Sequence, residues 1–294
     1  MNVVKSDANK HWPLRWELLL RYRYIEIIAL WEGRLTTRHL CESFGIGRQQ
    51  ASKDINTYLR EVGPANLEYD KHLKGYKPSE VFTPQVTLGL ADEYLLLMAR
   101  NNELSGVFES LSLHSTNVEL LSVPVRDVQP EVVRAIVTAA RQQRRLEVDY
   151  VSLHSPDREG RIIVPHTLVY TGLRWHVRAW CEKNQDYRDF VLSRFRGSPE
   201  MLDISKHGPE GDLEWNRQIT IEVTADPRLT PEQQEVVEND YGMINGNLTL
   251  NVRAKLVPYA LQALHIDTKI IDMNPLAQQI IVANLEELKE WLFH

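Results

Sequence analysis

Apolar residues along the chain follow three successive patterns: helical at first, strand-like in the middle, then mixed. In RYRYIEIIALWE, Tyr24, Ile27, Ile28 and Trp31 fall at i, i+3, i+4 and i+7, which predicts an amphipathic helix over Arg21–Glu32, ended by Gly33. TTRHLCESF predicts a second helix, with Leu40, Cys41 and Phe44 inward and Thr36 or Thr37 as its cap. After the tight turn Gly45-Ile46-Gly47, RQQASKDINTYLREV predicts a third, burying Ala51, Ile55, Tyr58, Leu59 and Val62. Two short helices, a glycine turn and a third helix are the order of a helix-turn-helix. LEYDKHLKGYKPS then alternates around Leu67 and Tyr69 and carries Lys71, His72 and Lys74 before Gly75, the pattern of a basic β-hairpin or wing.

The outer face of the third helix carries Arg48, Gln49, Gln50, Ser52, Lys53 and Asn56. Arginine forks onto guanine and glutamine onto adenine, while serine and lysine suit phosphate. These residues sit in the first turns, the end of a recognition helix that enters the major groove. With Lys71, His72 and Lys74 on the wing, they form the expected contact set for double-stranded DNA. Any surface helix has a solvated polar face; the adjoining Ile46 and Ala51, small and apolar at the turn, favour the DNA reading.

Residues 81–130 are expected to be a helical linker, with ADEYLLLMARNNEL as a helix. PEVVRAIVTAARQQRR is a further helix with proline early and basic residues late, both favourable. Period-two alternation then takes over in LEVDYVS, RIIVPHTLVYT, RWHVRAWCE and RDFVLSRFRG. One alternating face of RWHVRAWCE holds Arg174, His176 and Arg178, with Arg188, Arg194 and Arg196 following. Guanidinium groups at this density suit phosphate or carboxylate.

The order Val-Asp-Tyr150, Arg161-Ile-Ile-Val-Pro165-His166-Thr-Leu168, Gly172-Leu-Arg174-Trp175-His176-Val177 and Arg188-Asp-Phe190-Val-Leu192-Ser-Arg194-Phe195 resembles the WYL domain of bacterial regulators. A winged helix before it and an α/β segment after it extend the resemblance over nearly the whole chain. It is most similar to WYL repressors that control phage-defence islands of the BREX and CBASS type. The namesake triplet reads Trp175-His176-Val177: Trp175 and Val177 are expected inward, and His176 replaces the tyrosine. The resemblance implies an α+β multidomain protein. Its parts are a winged helix-turn-helix at 1–80, a Sm- or SH3-like β-barrel sensing a ligand at 131–200, and a small α/β dimerisation domain at 201–294. It also implies a nucleotide or nucleic-acid-derived ligand facing Tyr150, Ser152, His166, Tyr170, Arg174, His176, Arg178, Arg188, Arg194 and Arg196. Other roles fit some of these positions: Trp175 and Trp180 suit a core, His166 a strand end, and Arg178 and Arg188 surface pairs with Glu182, Asp186 or Asp189.

In the last third, Ile219, Ile221 and Val223 predict a strand. Thr230-Pro231-Glu232 starts a helix, Leu248, Leu250 and Val252 mark a strand, VPYALQALHI is a helix and QQIIVAN a final strand. Ile270, Ile271 and Trp291 fit either a dimer interface or a core. Two-fold proteins match inverted-repeat operators, so a homodimer is expected.

Charge sharpens this division. The net charge of −6 over 294 residues splits into +3 for residues 1–80 (13 Lys and Arg, 10 Asp and Glu), −1 for 81–200 (14 and 15) and −8 for 201–294 (7 and 15). The acidic last third is a poor partner for nucleic acid. A charged fraction of 25% and the lack of a long apolar run fit a cytoplasmic protein without membrane contact or signal peptide. Cys41 and Cys181 are isolated, so neither a zinc site nor a disulfide is expected, and no cofactor is implied. The sequence holds no nucleophile elbow, Walker loop or HExxH motif, and catalysis is not expected. The reading is therefore a homodimeric repressor with a ligand-sensing middle; a non-catalytic nucleic-acid-binding accessory of a defence complex is the alternative.

Overall fold

Helix α1 (Trp16–Glu32) forms the spine of the N-terminal unit in the computed structural model, which describes residues 15–105, 126–153, 159–268 and 273–292. It extends five residues further towards the N-terminus than the apolar stripe predicts. Gly33, at φ 71°, ends it in the left-handed conformation that glycine adopts without strain. Helix α2 (Thr37–Phe44) is held at its start by a capping box between Thr36 and His39. Helix α3 (Arg48–Glu61) buries Ala51, Ile55 and Tyr58 against α1. Strands β1 (Leu67–Asp70) and β2 (Gly75–Pro78) make the antiparallel wing, and α4 (Ala91–Ser105) packs on α1.

Burial around α1 is wider than the predicted stripe. Tyr22, Ile25, Ile28 and Ala29 are fully buried, whereas Trp31 is 38% exposed. Glu26 is also fully buried. Its carboxylate accepts from the backbone N–H groups of Gln85, Val86 and Thr87, from the Thr87 hydroxyl and from the Tyr58 hydroxyl. Burial first, then the Glu26 charge, push the Tyr58 pKa far up, so this phenol remains a donor. One buried carboxyl group thus ties α1, α3 and the chain leaving the wing.

The chain divides near residue 122 into two compact units. The second begins with α5 (Pro130–Gln142), whose Val132, Ile136 and Ala139 pack on a five-stranded antiparallel sheet. Its strands are β3 (Arg144–Tyr150), β4 (Glu159–Tyr170), β5 (Trp175–Cys181), β6 (Asp186–Val191) and β7 (Phe195–Ile204), ordered β6-β5-β4-β3-β7. Among the described residues the sheet is open, with β6 and β7 at its edges; the strand pairs do not close the Sm- or SH3-like barrel that the resemblance implies. The sheet nonetheless curls, since the Tyr150 hydroxyl at the end of β3 accepts from the Val191 N–H at the end of β6. Strand β7 also lengthens the sheet beyond the expected boundary near residue 200.

Pro165 lies in central strand β4, where a missing N–H would break the ladder. The pairing with β5 slips between Pro165 and Thr167, a bulge at His166 that accommodates the proline.

Helix α6 (Leu213–Asn216) leads into a three-stranded antiparallel sheet ordered β10-β8-β9, from β8 (Gln218–Ala225), β9 (Leu248–Arg253) and β10 (Ile280–Val282). Helices α7 (Pro231–Asp240), α8 (Val257–Ala263) and α9 (Leu285–Leu288) complete it, close to the predicted order. Thr230 caps α7 through a capping box with Gln233. Trp291 is partly buried against this core and lies 4.9 Å from the Arg217 guanidinium; Ile270 and Ile271 lie outside the described residues. No described helix is long and apolar enough to cross a membrane.

Candidate nucleic-acid interface and sensing site

On the N-terminal unit, Arg48, Gln49, Gln50, Ser52, Lys53 and Asn56 are all exposed on α3. The helix is fixed from below by Asp54, which is 2% exposed and ion-paired with Arg21 Nε at 2.7 Å. Gln50 Nε2 also donates to Asp54, at 2.7 Å. In the wing, Asp70 Oδ1 accepts from the His72 and Leu73 N–H groups and shapes the turn. Lys71, His72 and Lys74 are exposed there, Lys74 at φ 50°. Arg34 Nε donates to the Leu73 carbonyl, and Leu35 pairs with Tyr76, so the wing is pinned to the α1–α2 loop.

A concave surface of about 560 Å³ brings Arg48 and Lys74 together with Arg34, Thr36, Thr37 and Arg38. In the sequence Thr36 and Thr37 are cap candidates, and Arg34 and Arg38 stand outside the helix-and-wing contact set. The signal that was available is their place at the start of α2, where exposed N–H groups and basic side chains favour an anion.

In the second unit the side chains of β5 sort by parity. Val177, Ala179 and Cys181 face the core under α5, and His176 and Arg178 face the opposite side. That second face is not open surface. The chain from His207 to Arg217 crosses it: the Trp180 and His207 rings stack at 4.1 Å, and the Tyr187 hydroxyl donates to the Gly208 carbonyl. At its centre Arg178, 1% exposed, donates to Asp212 at 2.6 and 3.1 Å, and to Asp189 and Glu214 at 3.4 Å. His166, placed by the bulge, lies 3.2 Å from the same Asp212. Burial opposes the Asp212 charge, but the bonds from His166, Arg178 and the Trp215 N–H hold its pKa well below the ordinary carboxylate range.

The predicted ligand-facing residues therefore separate. Tyr150 is a core residue between Phe190 and Phe195, and His166 and Arg178 are bound up in the Asp212 cluster. Arg188 and Arg196 are exposed, the first 3.9 Å from Asp186 and the second donating to the Ser193 and Phe195 carbonyls. Ser152 is half-buried after β3. Trp175 departs from the inward expectation: it is 50% exposed, paired with exposed Tyr170 at 5.1 Å at the end of the β4–β5 hairpin, beyond the core that α5 covers. Arg174 and Arg194 are half-buried. Arg174 Nε donates to His176 Nε2 at 3.2 Å, and His176 is 3% exposed. Burial, then Arg174, Arg194 and Arg126, lower the His176 pKa to about 4. No cluster of three or more metal-ligating side chains occurs among the described residues.

Known proteins match the chain across its length. A family described as the BrxR transcriptional regulator winged helix-turn-helix domain matches residues 17–100, the WYL domain matches 131–198, and the BrxR C-terminal dimerization domain matches 218–288. A DNA-binding transcriptional repressor CapW of Escherichia coli strain KTE188 is 32% identical, over 97% of this chain and 95% of its own. The CapW repressors of Stenotrophomonas maltophilia and Pseudomonas aeruginosa are each 31% identical, covering 95% and 94% of this chain and 93% and 92% of their own.

The chain belongs to the CapW family of WYL-domain transcriptional repressors.

The matched segments of this CapW-family chain follow the order of its elements. The winged-helix match takes in α1 to the middle of α4, the WYL match spans α5 to the start of β7, and the dimerization match runs from β8 to the last residue of α9. The stretch between the last two, residues 199–217, holds the strap that carries Asp212. A solved structure, the proteasome accessory factor PafBC of Arthrobacter aurescens, shares 15% identity over 93% of this chain and 45% of its own, at a TM-score of 0.31.

Proposed function

We propose that this protein is a homodimeric, sequence-specific repressor of a phage-defence operon, whose WYL module senses a nucleotide or nucleic-acid-derived ligand. The observation that carries the DNA-binding part is the exposed start of α3 beside the wing. Arg48 and Lys74, a base-reading type and a phosphate-binding type, line one concavity. The ligand-sensing part rests on Arg174 and Arg194, two guanidinium groups beside the buried His176. A ligand regulates such a protein only by preferring one arrangement of the dimer over another. DNA binding, dimerisation and repression are what the CapW and BrxR names attach to the relatives.

Base readout is tested with Arg48→Ala and Lys74→Ala on operator and shuffled duplexes. Loss of a guanine fork is expected to cost about 1–3 kcal/mol on the operator alone, while loss of a phosphate contact weakens both duplexes alike. Equal losses on both duplexes for Arg48→Ala contradict base readout by α3.

A further inference from the structure

The chain that leaves the wing runs from residue 79 to residue 90 without helix or strand, yet its backbone is tightly bound. From Thr83 to Leu88 each backbone N–H ends on a side chain, Pro84 having none. Thr83 donates to Asn66 Oδ1 at 3.1 Å. Gln85, Val86 and Thr87 donate to the Glu26 carboxyl oxygens at 2.9, 3.1 and 3.0 Å, and Leu88 donates to Glu93 Oε2 at 2.8 Å. A connection of this kind ordinarily runs over the surface with its backbone groups in water.

The same side chains reach the recognition helix. The Tyr58 hydroxyl, on α3, donates to Glu26 Oε1 at 2.9 Å and accepts from Asn66 Nδ2 at 2.7 Å. Asn66 Nδ2 also donates to the Thr83 carbonyl at 2.8 Å. Glu26 and Tyr58 are fully buried, and Asn66 is 4% exposed. At the far end of the connection Glu93 Oε1 accepts from Arg23 Nη2 at 3.1 Å, which ties the start of α4 to α1. A satisfied buried network fixes one arrangement, because each directional bond is lost when the arrangement shifts. An apolar contact is non-directional and would seal the same space while letting the connection slide. Hydrogen-bond geometry thus sets the direction in which the chain leaves relative to α3.

We propose that Glu26, with Tyr58, Asn66 and Thr87, is a latch that sets the half-site spacing the protein accepts, by holding the exit of the chain at one angle to α3. In a two-fold repressor each recognition helix is joined to the dimerisation module through this connection, so its direction enters the separation of the two helices. Helix α4, 15 residues long, extends about 22 Å from this joint. A tilt of about 10° at the joint moves its far end by about 4 Å, close to the rise of one base pair, about 3.4 Å. Glu26 is a positioning residue, buried away from the exposed face of α3, and acts on spacing rather than on base readout. The proposal rests on the homodimeric, sequence-specific reading above and adds the element that determines spacing.

The test uses the full-length protein in anisotropy titrations on the promoter duplex, its inverted repeat located by footprinting. Companion duplexes carry one or two base pairs added or removed between the arms, or a single arm. One base pair changes the separation by about 3.4 Å and the relative rotation by about 35°. Wild type is expected to lose about tenfold or more in affinity for a change of one base pair. Tyr58→Phe keeps the ring that packs on Tyr22 and removes the bonds to Glu26 and Asn66; Thr87→Val keeps the shape and the backbone N–H and removes the hydroxyl bond to Glu26. Each variant is expected to keep single-arm affinity within about twofold while its spacing penalty falls to about threefold or less. A role in stability alone would weaken binding to all duplexes by one factor and leave the penalty as in wild type. That result in the folded variants overturns the latch while the dimeric reading stands, and so does a wild type that needs both arms but accepts every spacing. If wild type binds one arm as tightly as two, the dimeric reading fails, and the latch with it.

Discussion

Replacing Arg178 with methionine is the sharpest perturbation of the second unit, because it leaves a carboxylate stranded. Asp212 is 1% exposed and would keep only His166 and the Trp215 N–H as partners, having lost bonds of 2.6 and 3.1 Å. Breaking a buried pair from one side typically costs about 3–5 kcal/mol, mostly from the unpaired charge that remains. For a unit of this size, roughly 170 residues, each kcal/mol lowers Tm by about 2–4 °C, so a fall of about 6–20 °C is expected. The assay is urea and thermal unfolding followed by tryptophan fluorescence and near-ultraviolet circular dichroism, to which Trp175, Trp180 and Trp215 report on this unit. Arg178→Met combined with Asp212→Asn removes the stranded charge and keeps a capping side chain for α6; it is expected to recover about half of the loss. A loss below about 1 kcal/mol in the single variant, the size typical of an exposed pair, would refute the claim that this ion cluster organises the sheet and the strap across it.

Glu26→Gln places an amide NH₂ against a ring of donors, and is expected to destabilise the N-terminal unit by about 2–4 kcal/mol, read as faster hydrogen exchange at the Gln85, Val86 and Thr87 amides. Unchanged protection there contradicts the role given to the carboxylate. His176 has its pKa lowered to about 4 from an ordinary 6.5, so the unfolded chain takes up its proton first. Stability from the neutral ring is complete above pH 6.5 and is lost as pH falls towards 4, at up to about 1.4 kcal/mol per pH unit. Wild type and His176→Gln are therefore expected to differ in slope over that window, and parallel curves would show that the ring titrates normally.

Much of this architecture was legible from periodicity and turn chemistry. Gly33, the Gly45-Ile46-Gly47 turn and the Thr230-Pro231 start all mark boundaries through local backbone preference, which needs no tertiary information. What escaped depended on long-range pairing. Glu26 and Asp54 have the look of polar positions on helix faces, yet both are buried because partners distant in sequence converge on them: the Gln85–Thr87 N–H groups on Glu26 and the Arg21 guanidinium on Asp54. Arg178 shares its alternating face with Arg174 and His176, as the pattern requires. Its commitment to Asp212, 34 residues on, has no local signature. Trp175 has the parity of the core residues but sits one step beyond the edge of what α5 covers, a limit that alternation alone does not mark. The DNA face was the more legible site because its chemistry lies in consecutive turns of one helix and one hairpin; the Asp212 cluster draws on residues from 166 to 214.

The central claim is that this protein reads a DNA sequence. Fluorescence anisotropy on the promoter-proximal duplex upstream of its own gene, against a shuffled duplex at two salt concentrations, tests it most directly. A preference of about 10³-fold or more for the promoter is the predicted result, within the range of specific binders. Equal affinity for the two duplexes, falling steeply together with salt, is the signature of phosphate-only binding and would contradict the account.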